Sequence, residues 1–338
     1  MRTSITIAGP LLAVLFLPGV GGAQDGRGAP PAGRGAAPTA NYPPYARPAS
    51  TYSPPRTADG QPDISGLYVA IPLPRGIETP LVPMANRAPN RANSEFSYSL
   101  NERPKLPEGA IARPVGVDPA DGKIPLTPEA LARRKDIIAN QGKIEYLDGR
   151  VLCLAPGVPR TTISAPVVGY QIFQKPGYVV IFYEQNHLYR TIPLDGRPPL
   201  DPNIRKVMGV SRGHWEGNVL VVEVTNFTNN LSNNWVIGAV SATPGVPAES
   251  LTTGHGIPHS ELYRVTERYT PIDANTIHYE ARVTDDKVFT QPVTFAWYAF
   301  ARAPKEYVPI EYACFEGNAK NILLMTNTDI SDIRVDVP

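Results

Sequence analysis

The sequence has 338 residues, and its 32 Lys+Arg nearly cancel its 31 Asp+Glu, leaving a formal charge of +1. Its basic residues are scattered, so no positive field exists to hold a phosphate backbone, and nucleic acid is not an expected partner. With 38 Pro, 28 Gly and 16 Tyr, the composition favours turns and strands over long helices.

The chain opens with Arg2, an apolar run from Ile5 to Leu17 and small residues ending at Ala23. That order predicts a signal peptide over 1–23, and an apolar run well short of the roughly 20 residues that span a bilayer predicts no membrane anchor. The expected location is the periplasm or the medium. Residues 24–55, rich in Pro, Gly and Ala without apolar periodicity, read as a disordered leader. A single β-rich domain is expected over 56–338. It begins with a turn signal at 55–63 and a short strand from Ile64 to Ile71.

From Pro72 to Pro125 prolines recur too often for a central strand, so this stretch should wrap the surface. Thr127, Pro128 and Glu129 form a helix start, and the helix should run over about 127–140 with Leu131, Ile137 and Ile138 on its apolar side. The strand core is expected over about 167–300. Tyr178–Glu184 and His187–Ile192 pair around Gln185-Asn186, and Met208–Trp215 pairs with Val219–Phe227 around Glu216-Gly217-Asn218. Leu262–Thr270, Thr276–Thr284 and Val293–Phe300 complete the set. Consecutive antiparallel pairs predict a β-barrel or a sandwich with one docked helix. The polar stretch 228–260 reads as a long loop.

Several pieces resemble a large, uncharacterised family of secreted acidobacterial and proteobacterial proteins. They are Pro55–Gly66, Cys153-Leu154 with Gly157–Arg160, Tyr189-Arg190 with Asp195-Gly196-Arg197, Ser211–Gly213 with Trp215-Glu216-Gly217, and Cys314 with Glu316-Gly317-Asn318. Asn218 and Phe315 stand where the family usually has Asp and His. The resemblance implies export and brings no activity. Gly66-Leu67-Tyr68 is similar to the Gly-x-Trp start of lipocalin-like barrels and leans the expectation towards a barrel.

Two cysteines in an oxidising compartment predict a Cys153–Cys314 disulfide, the alternative being a reactive thiol. Glu184 and His187 flank a turn where a carboxylate orients an imidazole for acid/base work, or where both only bond the turn. His214 beside Trp215 is the third catalytic candidate. Tyr183, Tyr189, Trp215, Arg190 and His278 are candidate contacts for a small apolar or aromatic ligand. His278, Glu280 and Arg282 share one strand face, which meets water in a sandwich and lines the lumen in a barrel. His255 and His259 have a zinc-compatible spacing in turn-like surroundings. No dinucleotide, phosphate-loop, hydrolase-elbow or haem motif is present, so no cofactor is expected. The functional expectation is a cofactor-independent lyase or isomerase acting in a barrel pocket; the alternative is a non-catalytic ligand-binding or envelope interaction protein.

Overall fold

The computed structural model describes residues 44–71, 115–140, 143, 153–163, 169–228, 256–309 and 314. The expected signal peptide, most of the leader and most of the 228–260 loop lie outside these residues, as do His255 and the motif after Cys314.

Ten antiparallel strands form one sheet. They are β1 (Gly66–Ala70), β2 (Gly116–Asp118), β3 (Gly169–Lys175), β4 (Tyr178–Tyr183), β5 (Leu188–Pro193), β6 (Val210–Glu216), β7 (Val219–Thr225), β8 (Arg264–Pro271), β9 (Thr276–Thr284) and β10 (Val293–Arg302). Nine follow the order β5-β4-β3-β1-β10-β9-β8-β7-β6, and β2 pairs with β10 beside it. This is a nearly closed barrel rather than a sandwich. Most of the stretch expected to wrap the surface, residues 72–114, lies outside the described residues; in its described part the three-residue β2 pairs with β10 through Thr294 and Phe295.

The two terminal strands of the path, β5 and β6, meet through side chains. Gly213 makes this seam possible, because a Cβ there would lie 2.7 Å from both Ile192 Cγ2 and Leu194 Cδ2. All pairs on the nine-strand path are antiparallel, so β5 and β6 run in the same direction. One rim, called lower below, therefore carries the starts of β3, β5, β6, β8 and β10.

Alternation along each strand fixes the interior. Val179, Ile181 and Tyr183 of β4 turn inward with Val265 and Tyr269 of β8, Tyr279 of β9, and Phe295 and Phe300 of β10. Each is at most 1% exposed, so the lumen is a packed core rather than an open pore. The tight β6–β7 hairpin has Glu216 opposite Val219, and Gly217 takes the φ of +61° that its turn needs. The β4–β5 connection is longer than the expected two-residue turn, a 3₁₀ segment over Gln185–His187.

Helix α1 (Pro128–Ala139) starts as expected, with Thr127 Oγ1 accepting from the Ala130 N–H at 3.2 Å. Its buried contacts are Ala130 and Ile137, whereas Leu131 is 41% exposed. The helix begins against the barrel, because the Thr127 N–H donates to Val288 O at 2.8 Å. A one-turn helix, α2 (Arg160–Ile163), closes the lower rim. Tyr263 Oη donates to Val158 O, Tyr170 Oη to Thr162 O and Asn186 Nδ2 to Leu154 O. Cys153 and Cys314 form the expected disulfide, with Cα atoms 5.6 Å apart.

The last part of the expected leader is ordered on the barrel's outer face. Arg47 donates to both oxygens of Glu280 at 2.6 and 2.9 Å, and Tyr45 Oη donates to Glu280 Oε2 at 2.7 Å. Asn218 donates to Tyr52 O and accepts from Arg56. The amide thus helps anchor this strap.

Candidate functional site

Among the described residues, the barrel interior holds one charged pair. Arg190 enters from β5 and Glu267 from β8, and the guanidinium donates through Nη1 and Nη2 to Oε1 and Oε2 at 3.1 and 2.5 Å. Both side chains are at most 3% exposed. Tyr269 and Tyr279 donate to Glu267 Oε1 at 3.0 and 2.7 Å, and Arg190 Nη2 also reaches Tyr269 Oη at 3.3 Å. Glu267 therefore receives four hydrogen bonds.

Burial alone lowers the Arg190 guanidinium, but Glu267 outweighs it and leaves Arg190 raised well above its ordinary value. Burial raises Tyr269 and Tyr279 well above theirs, reinforced by Glu267. It pushes Tyr183 up to about 12 against the opposing pull of Arg190. At neutral pH these tyrosines keep their protons and remain hydrogen-bond donors.

Around this pair, Arg190 Nε and Ser211 Oγ are buried with no hydrogen-bond partner among the described residues, and the Tyr183 hydroxyl lies beside the side chains of Thr162 and Tyr269, which act on it as hydrogen-bonding neighbours. Tyr183, Arg190, Ser211 and Thr162 lie towards the lower rim. Tyr183 ends β4, Arg190 and Ser211 sit near the starts of β5 and β6 on either side of the seam, and Thr162 belongs to the plug α2. Buried polar groups are almost always satisfied, by protein or by water, so these side chains on three adjacent strands and the plug form a polar cluster in an otherwise apolar interior. Trp215 lines the same face of β6 nearer the other rim, its Nε1 also buried without a partner among the described residues.

Three of the five expected ligand contacts, Tyr183, Arg190 and Trp215, thus face the interior. Tyr189 points outward and is 71% exposed. His278 is on the outer wall, buried by the strap, with Tyr45 stacked on its ring at 6.4 Å and Tyr298 edge-on at 5.1 Å. The polar row of β9 therefore neither lines the lumen nor simply meets water: His278 and Glu280 are covered, and Arg282 is exposed.

The three expected catalytic residues do not share a pocket. Glu184 is buried at the lower rim, where it accepts from the Gly169 N–H and Tyr307 Oη. His187 is exposed in the adjacent turn, where Asn186 and His187 have φ of +57° and +50°. His214 lies on the outer face of β6 near its upper end, exposed and 3.2 Å from Glu216, which also pairs with Arg268 at 2.5 Å. Strand direction separates them, because β5 leaves the rim that holds Glu184 whereas β6 has almost reached the other rim at His214. Of the zinc pair, the described His259 lies 3.3 Å from Thr228 O and against the Tyr263 ring.

Sequence reasoning missed Glu267, Tyr269, Tyr279, Ser211 and Thr162. The strand text Val265-x-Glu267-x-Tyr269 held a signal, a carboxylate on the apolar side of an alternating strand. No family model, curated protein or solved structure matches this chain.

Proposed function

We propose that the protein is a non-catalytic binding barrel that takes up a small apolar or aromatic molecule in its lumen, in the periplasm or outside the cell. The observation that carries this reading is the cluster of buried polar groups around Arg190, whose Nε and the neighbouring Ser211 Oγ have no partner among the described residues, within an interior otherwise lined by Tyr, Phe and Val side chains. A few convergent polar groups in apolar surroundings are the usual composition of a ligand site. The disulfide and the absence of a membrane-spanning helix among the described residues are compatible with an exported protein.

The lyase or isomerase reading has less support. Acid/base work needs a group that can take a proton beside the substrate. Glu267, the lumen carboxylate, is already engaged by four donors, while His187 and His214 are exposed and His278 lies on the outer wall.

The test is titration of the full chain with naphthalene and with 2-acetylnaphthalene, followed by protein fluorescence. The expected result is saturable binding of at least one probe, one per chain, unchanged within twofold in His187→Ala and His214→Ala and weakened at least tenfold in Trp215→Ala. Absence of saturable binding by both probes contradicts the reading, and turnover that disappears with His187→Ala restores the enzyme.

A further inference from the structure

We infer that the lumen selects a neutral ligand bearing a carbonyl group, and that this group accepts a hydrogen bond from Arg190 Nε. The inference rests on the lumen-binding reading and adds the ligand's chemical class.

Hydrogen-bond inventory leads to a neutral acceptor, the role a carbonyl oxygen fills. Arg190 presents only N–H groups, and three of its five go to Glu267 and Tyr269, with Nε the one nitrogen that makes no hydrogen bond among the described residues. The Nε–H can only donate, so its partner must be an acceptor. The hydroxyls of Tyr183, Ser211 and Thr162 each donate or accept, and they adapt to whatever the Nε–H orients.

Charge excludes the two ionic classes. An ammonium group would look for a carboxylate, but Glu267 already receives four donors. A carboxylate would find the Arg190 charge already matched by Glu267, and burying it there would leave one uncompensated negative charge. A ketone, ester or amide supplies the acceptor without adding charge.

The packing also constrains entry. Arg190, Tyr183 and Ser211 are each at most 4% exposed, so the site is closed in this conformation. The seam between β5 and β6, held at Gly213 by Ile192 and Leu194, is where a ligand parts the wall with least loss of backbone hydrogen bonding.

The experiment compares one ring with four substituents: naphthalene, 2-acetylnaphthalene, 2-naphthoate and 2-(aminomethyl)naphthalene, each titrated into the full chain. The expected order places the ketone at least tenfold tighter than the other three. Arg190→Met alone strands Glu267 and can unfold the barrel, so the informative variant is the double replacement Arg190→Met with Glu267→Met. In that variant the ketone should lose its advantage over naphthalene, which still binds. Naphthalene, the acid or the amine binding as tightly as the ketone in the wild type overturns the inference while leaving the binding barrel intact. A ketone preference that survives in the double variant overturns the role of Arg190. Failure of all four to bind overturns the lumen reading itself, with Arg190 Nε and Ser211 Oγ then satisfied by water.

Discussion

Arg190 and Glu267, 77 residues apart in sequence, meet inside the barrel as a two-pronged ion pair with at most 3% of either side chain exposed. Desolvation makes such a pair costly to break from one side, because the survivor is left as an uncompensated buried charge. Either Arg190→Met or Glu267→Met alone should therefore destabilise the fold by roughly 3–5 kcal/mol. Urea unfolding of the single and double variants checks this. The double variant should recover part of the loss, since apolar side chains of similar volume remove both charges together while the Tyr269 and Tyr279 hydroxyls lose their acceptor; a double variant as unstable as the sum of the singles contradicts the account.

His278 should make the fold acid-sensitive. Burial lowers its imidazole from 6.5 to about 4, against an opposing pull from Glu280 and in the same direction as Arg47. The unfolded chain then binds more protons than the folded one between these values, so stability is fully present above about pH 6.5 and declines as pH falls towards 4. Because a tenfold change in proton affinity corresponds to about 1.36 kcal/mol, the loss between pH 7.5 and 5 is about 2 kcal/mol. Glu280, which burial alone raises and which hydrogen bonds from Arg47 and Tyr45 bring below its ordinary value, contributes with the same sign only at lower pH. Denaturant unfolding at both pH values should show the slope in the wild type and its disappearance in His278→Asn. An unchanged slope in that variant contradicts the assignment.

The Cys153–Cys314 bridge spans 161 residues of chain. In the chain-entropy model, closing a loop of this size stabilises by roughly 5 kcal/mol. Paired Cys153→Ser and Cys314→Ser replacements should lower the melting temperature substantially, and unfolded oxidised protein should titrate with no free thiol. Two titratable thiols would show that the bridge does not form.

The barrel was legible in the sequence because alternation and turn chemistry act locally. The Gly217 turn, the Tyr178–Tyr183 strand and the Thr127 cap each follow from a few adjacent residues. Tyr183, Arg190 and Trp215 were within reach for the same reason, as polar or aromatic residues on strands. Their partner Glu267 was not, because pairing β5 with β8 across a lumen depends on closure, which no single strand encodes. His214 lies apart from Glu184 and His187 because the relation between two hairpins is set by strand direction around the whole barrel. The strap was hidden for a similar reason: Tyr45 and Arg47 sit in a Pro-rich stretch without periodicity, and only Glu280, 235 and 233 residues later, gives them a place to bind.

The central claim is that the lumen binds a small molecule, and native mass spectrometry of the full-length chain, purified without denaturation from the cells or medium, tests it most directly. The account predicts a mass above that of the polypeptide, lost on denaturation and absent from the Arg190→Met, Glu267→Met double variant after exposure to 2-acetylnaphthalene under conditions that load the wild type. No loading of either protein would contradict it, whereas equal loading of both would remove only the part assigned to Arg190.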